Sequence, residues 1–178
     1  MHRRTLLGGG AVLFAAQALS IKADARAVAS PVLPDDTRFM QLAIDQAKQG
    51  DYPFGTVIVR DGEVLASGHN STRSAGDPTA HGEMVAIRAF LKQHGPAALK
   101  GTTLYTSGEP CVMCMGAIIW CGIARVVFAA SIAELATRIG QIDITAAQIA
   151  NATPFAAIDV TGGVLSPEAM QLFPLDRK

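Results

Sequence analysis

Two short runs restrict this chain more than anything else in it: Thr79-Ala80-His81-Gly82-Glu83 and, further on, Glu109-Pro110-Cys111-Val112-Met113-Cys114. One imidazole and two thiolates form a soft ligand set suited to zinc, and three protein ligands leave a fourth tetrahedral position open, as in a catalytic site rather than a closed structural one. Glu83, two residues past the histidine, is not needed as a ligand and is free to carry protons. The fold must therefore bring two distant helix starts to one point. Cys111 and Cys114 at i, i+3 present both sulfurs to one side of a first turn, where the unpaired N–H groups and the positive end of the helix dipole favour thiolate over thiol. A lone C-x-x-C also serves as a redox pair or half a zinc finger, but neither accounts for both runs with the glutamate at this offset. A closed site would need a fourth ligand, and His69, His94 and Cys121 do not match such a pattern.

Around these runs the pattern alternates helix and strand. Asp35 or Asp36 can cap a helix whose apolar residues Phe39, Leu42, Ala43, Ile44 and Ala47 recur at helical spacing, with Gly50 as its stop. Residues 55–60 read as a buried strand, Asp61-Gly62 as a hairpin turn, and residues 64–68 as the returning strand. A polar loop over residues 70–78 leads into a helix over 81–93, which Gly95-Pro96 ends. Residues 102–106 have strand composition and pass through Pro110 into a helix from 111 to about 120. Residues 125–129 form another central strand, 158–165 hold a last short one, and 167–173 a closing helix. The alternation predicts a three-layer α/β/α sandwich. With 178 residues, 49% of them apolar, the chain has enough to bury one core and too little for a second domain.

The first 29 residues read as an address. Arg3-Arg4-Thr5-Leu6-Leu7 precede an apolar stretch through Leu19, and Ala25-Arg26-Ala27-Val28-Ala29 supply small residues for cleavage, the three regions of a bacterial export signal. The paired arginines resemble the twin-arginine type, and the apolar run is shorter than the ~20 residues that span a bilayer. The expectation is a cleaved signal over 1–29, a linker over 30–35, a catalytic domain over 36–178 and a periplasmic protein with no membrane anchor, or a cytoplasmic one if the signal is unused. Charges balance at fifteen against fifteen over the whole chain, but beyond residue 29 eleven basic residues face fourteen acidic ones. That acidic body is not one expected to grip a phosphate backbone. Three cysteines make no disulfide framework, and Cys121, seven residues past Cys114, reads as a small buried hydrophobe.

The order H-x-E then P-C-x-x-C is that of the zinc-dependent nucleobase deaminases. Together with Pro53-Phe54-Gly55-Thr56-Val57-Ile58-Val59, Asp77-Pro78-Thr79-Ala80-His81 and Leu104-Tyr105-Thr106-Ser107, it makes the chain resemble the cytidine/deoxycytidylate-type deaminase superfamily from about Asp36 to Phe173. Gly116-Ala117-Ile118-Ile119-Trp120 is most similar to the guanine deaminase branch. The resemblance implies a five-stranded mixed sheet, a zinc ion held by His81, Cys111 and Cys114, and hydrolytic deamination of a free base or nucleoside, guanine to xanthine and ammonia, with Glu83 shuttling protons. It also implies that Asn70 hydrogen-bonds the base, that Phe54 stacks on or walls the ring, that Asp143 lies near an acidic residue reading the purine edge, and that Trp120 lines this pocket or a neighbouring subunit's. A homodimer acting on a small-molecule substrate follows from the same resemblance. Read alone, Asn70 caps its turn, Phe54 and Trp120 are core residues, and Asp143 is a solvated loop residue.

Related activities stay open at this level. His81-Gly82-Glu83 and Gly116-Ala117-Ile118-Ile119 are also similar to cytosine deaminases. The tRNA adenosine deaminases share Asp77-Pro78-Thr79-Ala80-His81 and the E-P-C-V-M-C run, yet they usually carry histidine where Trp120 stands, so no nucleic-acid partner is expected. The chain ends in Leu175-Asp176-Arg177-Lys178, without the aromatic segment that closes some guanine deaminase sites. A non-catalytic zinc-containing scaffold is the reading of another class, and the intact Glu83 and open fourth position stand against it.

Overall fold

The computed structural model describes residues 28–155 and 157–173. The expected export signal, except for its last two residues, lies outside the described residues. A hairpin sets the sheet: Gly55–Arg60 (β2) and Glu63–His69 (β3) pair antiparallel. Asp61 and Gly62 between them both have positive φ, 50° and 79°, the left-handed geometry that matches a two-residue turn to strand twist. On its other side β2 pairs antiparallel with Thr103–Gly108 (β4), after which Arg125–Ala130 (β5) and Asp159–Thr161 (β6) continue in parallel. β5 is buried throughout and β2 nearly so, as strands covered on both faces must be.

This is the expected five-stranded mixed sheet, with one addition. The two residues Val28–Ala29 (β1) pair parallel with β6 at the edge, giving the order β1-β6-β5-β4-β2-β3. The Ser30 N–H donates to the Val160 carbonyl at 3.2 Å, and Thr161 Oγ1 donates to the Ser30 carbonyl at 3.1 Å. The start of the stretch read as a linker is thus hydrogen-bonded to the sheet.

Helices cover both faces. Asp36–Ala47 (α1) and Ser166–Met170 (α6) pack on one, and Gly82–His94 (α2), Val112–Cys121 (α3) and Ala146–Ala152 (α5) on the other. Strand residues alternate between the two cores as a period of two demands: Val57, Tyr105 and Val127 join Phe39 and Ile44 under α1, while Ile58, Leu104 and Val126 join Phe90 and Ile118 under α2 and α3. Each fully buried large apolar side chain contributes about 1.5–3 kcal/mol. Ile132–Leu135 (α4), α5 and a 3₁₀ turn at Pro96–Leu99 were not anticipated. They run only four to seven residues, too short for periodicity to register.

Asp36 does something other than cap a helix. It sits inside the first turn of α1, fully buried, and its carboxylate accepts from Arg125 at 2.7 and 2.8 Å, from the Tyr105 hydroxyl at 3.0 Å and from the Leu33 N–H at 2.7 Å. Burial would raise its pKa, but the bonds from Arg125, Leu33 and Tyr105 outweigh that and hold it below the ordinary carboxylate value. Arg125 also donates to the Pro31 carbonyl at 3.2 Å and to Thr161 Oγ1 at 2.9 Å. One buried ion pair therefore ties α1, β4, β5, β6 and the segment before α1 together at the end of the sheet away from Cys111.

Candidate active site

The candidate metal ligands stand at the C-terminal ends of the parallel strands, where open α/β sheets place their ligands. Asp77 Oδ1 accepts from the Thr79 N–H at 2.8 Å and Oγ1 at 2.7 Å, making a closed turn just before His81. Arg88 of α2 fastens that turn through Asp77 at 3.2 Å and Thr79 Oγ1 at 2.9 Å. His81 is then the extended residue that opens α2, and Cys111 is the extended residue that opens α3, with Cys114 inside its first turn. The close seat of α2 on β3 needs Gly68, since a Cβ there would come within 2.5 Å of the Ala86 nitrogen.

Side chains from the two helix starts converge. His81 Nδ1 lies 3.7 Å from Cys111 Sγ and 3.6 Å from Cys114 Sγ, and the three ligand atoms all fall within 4.8 Å of one another. A tetrahedral zinc at its usual bond lengths holds nitrogen and sulfur about 3.6 Å apart, so the donors fit the ion in type and in spacing. The hydrogen bond from Cys114 brings the Cys111 thiol down to about 4, and that same bond, with burial, pushes Cys114 up. His81 is pushed up, first by its bond to Cys111. Glu83 is only 4% exposed, and burial raises its pKa.

In front of these groups lies a cavity of about 260 Å³, lined by His81, Glu83, Cys111, Asn70, Phe54, Tyr52, Thr72, Glu109 and the segment Ile139, Gly140, Gln141, Ile142. It falls just under the ~300–1,000 Å³ typical of sites for drug-sized ligands, the scale of a single small heterocycle. Asn70 is 3% exposed, and its Oδ1 accepts from the Thr72 N–H at 3.2 Å and Oγ1 at 2.9 Å. A backbone N–H can only donate, which fixes the oxygen toward Thr72 and leaves the carboxamide NH₂ to donate to a ligand. Phe54 lines the cavity and meets Phe173 edge-on at 5.2 Å. Gly108 leaves room for it, because a Cβ there would reach the Phe54 ring at 2.8 Å.

Two expected residues do not line this chain's cavity. Trp120 is 77% exposed at the end of α3 and packs at a tilt against Phe155, ring centroids 4.6 Å apart, outside this chain's cavity. The i+6 offset from Cys114 turns it off the face that carries the sulfurs. Asp143 is an exposed residue next to Ile142, outside the cavity lining. Sequence reasoning missed Tyr52, Thr72, Glu109 and residues 139–142. Glu109 stands in the E-P-C run and Tyr52 adjoins Pro53-Phe54, so both were within reach, whereas residues 139–142 follow no motif. A larger cavity of about 350 Å³, beside Asp36, Tyr105 and Arg60 on the far side of the sheet, contains none of the ligand residues.

Residues 33–130 match the family described as the cytidine and deoxycytidylate deaminase zinc-binding region. The guanine deaminase of Bacillus subtilis is 50% identical over 78 residues, 44% of this chain and 50% of that protein. The tRNA-specific adenosine deaminase of Aquifex aeolicus is 38% identical over 96 residues, 52% of this chain and 64% of that one. The chain thus spans between half and two thirds of the length of these relatives. A solved structure from a study of A-to-I editing by tRNA:A34 deaminases superposes with a TM-score of 0.66 at 34% identity, covering 76% of this chain and 99% of the other.

Proposed function

This chain belongs to the cytidine and deoxycytidylate deaminase zinc-binding family, and from that premise we propose that it hydrolyses the exocyclic amine of a free nucleobase, converting guanine and water to xanthine and ammonia. The observation that carries the reading is one cavity in which buried Glu83 and half-buried His81 share walls with Asn70, Phe54 and Tyr52. His81, Cys111 and Cys114 would hold zinc, which supplies a Lewis acid that makes water a ready nucleophile near neutral pH. Glu83 takes a proton from the attacking water and hands it to a ring nitrogen. It then carries the second proton to the amine, which leaves as ammonia. A carboxylate whose burial raises its proton affinity suits this two-way role. Asn70 donates to an acceptor on the base edge, and Phe54 and Tyr52 flank the ring.

Guanine is favoured by the 50% identity to a guanine deaminase and by the run ending at Trp120. The match to a tRNA:A34 deaminase supports a tRNA adenosine reading instead, and the acidic body opposes it. Cytosine is the remaining free-base alternative. Ammonia release by the zinc-loaded protein from guanine, cytosine, adenine, their nucleosides and a tRNA anticodon stem separates these. Turnover of guanine supports the reading, turnover of cytosine or RNA alone overturns it, and release from any of them removes the scaffold alternative.

The protein is further proposed to act as a homodimer through α3. Its ten residues, Val112 to Cys121, include no charged side chain, and a helix apolar all round is normally covered. Trp120 and Phe155 (77% and 60% exposed) form the ring pair on that face, and Trp120→Glu should shift the sedimenting species to monomer. Export is proposed on the Arg3-Arg4 pair and the apolar stretch after it; a mature N-terminus near residue 30 in protein from its native cell is the test.

A further inference from the structure

We propose that Glu109 is a positioning residue that fixes the substrate-facing wall of the cavity relative to the metal ligands. Its carboxylate is buried and divided between two places: Oε2 accepts from the Ile132 N–H and Oε1 from the Ala146 N–H, both at 2.8 Å. Ile132 is the first residue of α4 and Ala146 the first of α5. The chain between them carries Ile139, Gly140, Gln141 and Ile142 past the cavity mouth. Both roots of that wall are therefore pinned by one side chain, and its own backbone leads through Pro110 directly to Cys111. The Glu109 N–H donates to the Ala130 carbonyl at 2.7 Å, so the anchor is seated on β5 as well.

Helix capping alone does not account for the arrangement. α4 and α5 each have their own capping box, Ser131 with Glu134 and Thr145 with Gln148, which serves the N-cap and N3 donors of each helix and leaves the Ile132 and Ala146 amides to Glu109. What Glu109 adds is a link across 23 and 37 residues, made by two charge-assisted bonds at the positive ends of two helices. A carboxylate alone among side chains offers two acceptors and no donor at this length, which two N–H groups require. The expected consequence is that Glu109 sets where the base lies, while the metal and the proton shuttle are placed by α2 and α3 without it.

This rests on the free-base reading, and Glu109→Gln tests it. The amide keeps one acceptor but turns an NH₂ on the second N–H, so the wall is released at one root. KM for guanine should rise about tenfold or more, with kcat within about threefold and zinc content unchanged. Gln148→Ala, which weakens the cap of α5 but not the link, should leave KM within about twofold. A fall in kcat at constant KM, a loss of zinc, or an equal rise in KM for Gln148→Ala would overturn the proposal. If the variant does not fold or guanine is not turned over, amide exchange in the wild-type protein decides. The Ile132 and Ala146 amides should be protected as strongly as those of β5, and fast exchange at either would overturn it whatever the substrate.

Discussion

The cavity has two walls built by opposite means. One is made of the first turns of α2 and α3, seated on the central strands, and it holds the candidate metal ligands His81, Cys111 and Cys114 together with buried Glu83. The other is the loop through Ile139 to Ile142 between two short helices, and it contributes shape with no titratable side chain. Chemistry demands placement to a fraction of an ångström, which helix starts on a sheet provide, whereas shaping the rest of a binding cavity can be left to a loop that is easily exchanged. The asymmetry explains how relatives acting on different substrates can share the first wall.

Variants can break or sharpen that contrast. The largest effect should come from Cys114→Ala, which removes a ligand from the first wall: metal analysis should show loss of zinc, and ammonia release should fall to background, while circular dichroism shows the fold retained. Asp36→Asn comes next in size but touches neither wall. Leaving Arg125 buried without its partner should cost about 3 kcal/mol of unfolding free energy, with kcat and KM unchanged. Because the folded pKa of Asp36 is lowered, its contribution is complete above the unfolded value of about 3.9 and is lost as pH falls through the folded one. Denaturant melts should therefore show the gap between wild type and variant largest near neutral pH and closing under acid. Asn70→Ala should reduce kcat/KM for guanine about tenfold by removing the proposed bond to the base. Ile142→Ala, on the second wall, should raise KM by about threefold and leave kcat alone; an effect on kcat as large as that of a first-wall variant would erase the distinction.

The same contrast decides what could be read from the sequence. The first wall was legible because its chemistry is local: a ligand type, a spacing and a helix start are all carried by a few adjacent residues, and His81 with Cys111 and Cys114 meet as expected. The central strands were legible for a similar reason, since Gly55–Arg60 and Arg125–Ala130 are apolar runs between turn signals. The second wall was not, because α4 and α5 are too short for periodicity and their placement depends on Glu109 bonding to residues far along the chain. Trp120 and Asp143 are expected in a site by resemblance alone, this chain's or, for Trp120, a neighbouring subunit's, and neither lines this chain's cavity. Asp36 was read as a cap because a helix-start aspartate usually is one, and only the fold could bring Arg125 to it.

The most direct test is xanthine and ammonia formation from guanine by the zinc-loaded protein, with Glu83→Gln run beside it at matched zinc content. Equal amounts of the two products from wild type, and a rate about 10²–10⁴-fold lower in the variant, are the predicted result. Wild-type turnover by Glu83→Gln, or guanine left intact by a zinc-loaded, folded wild-type protein, would contradict it.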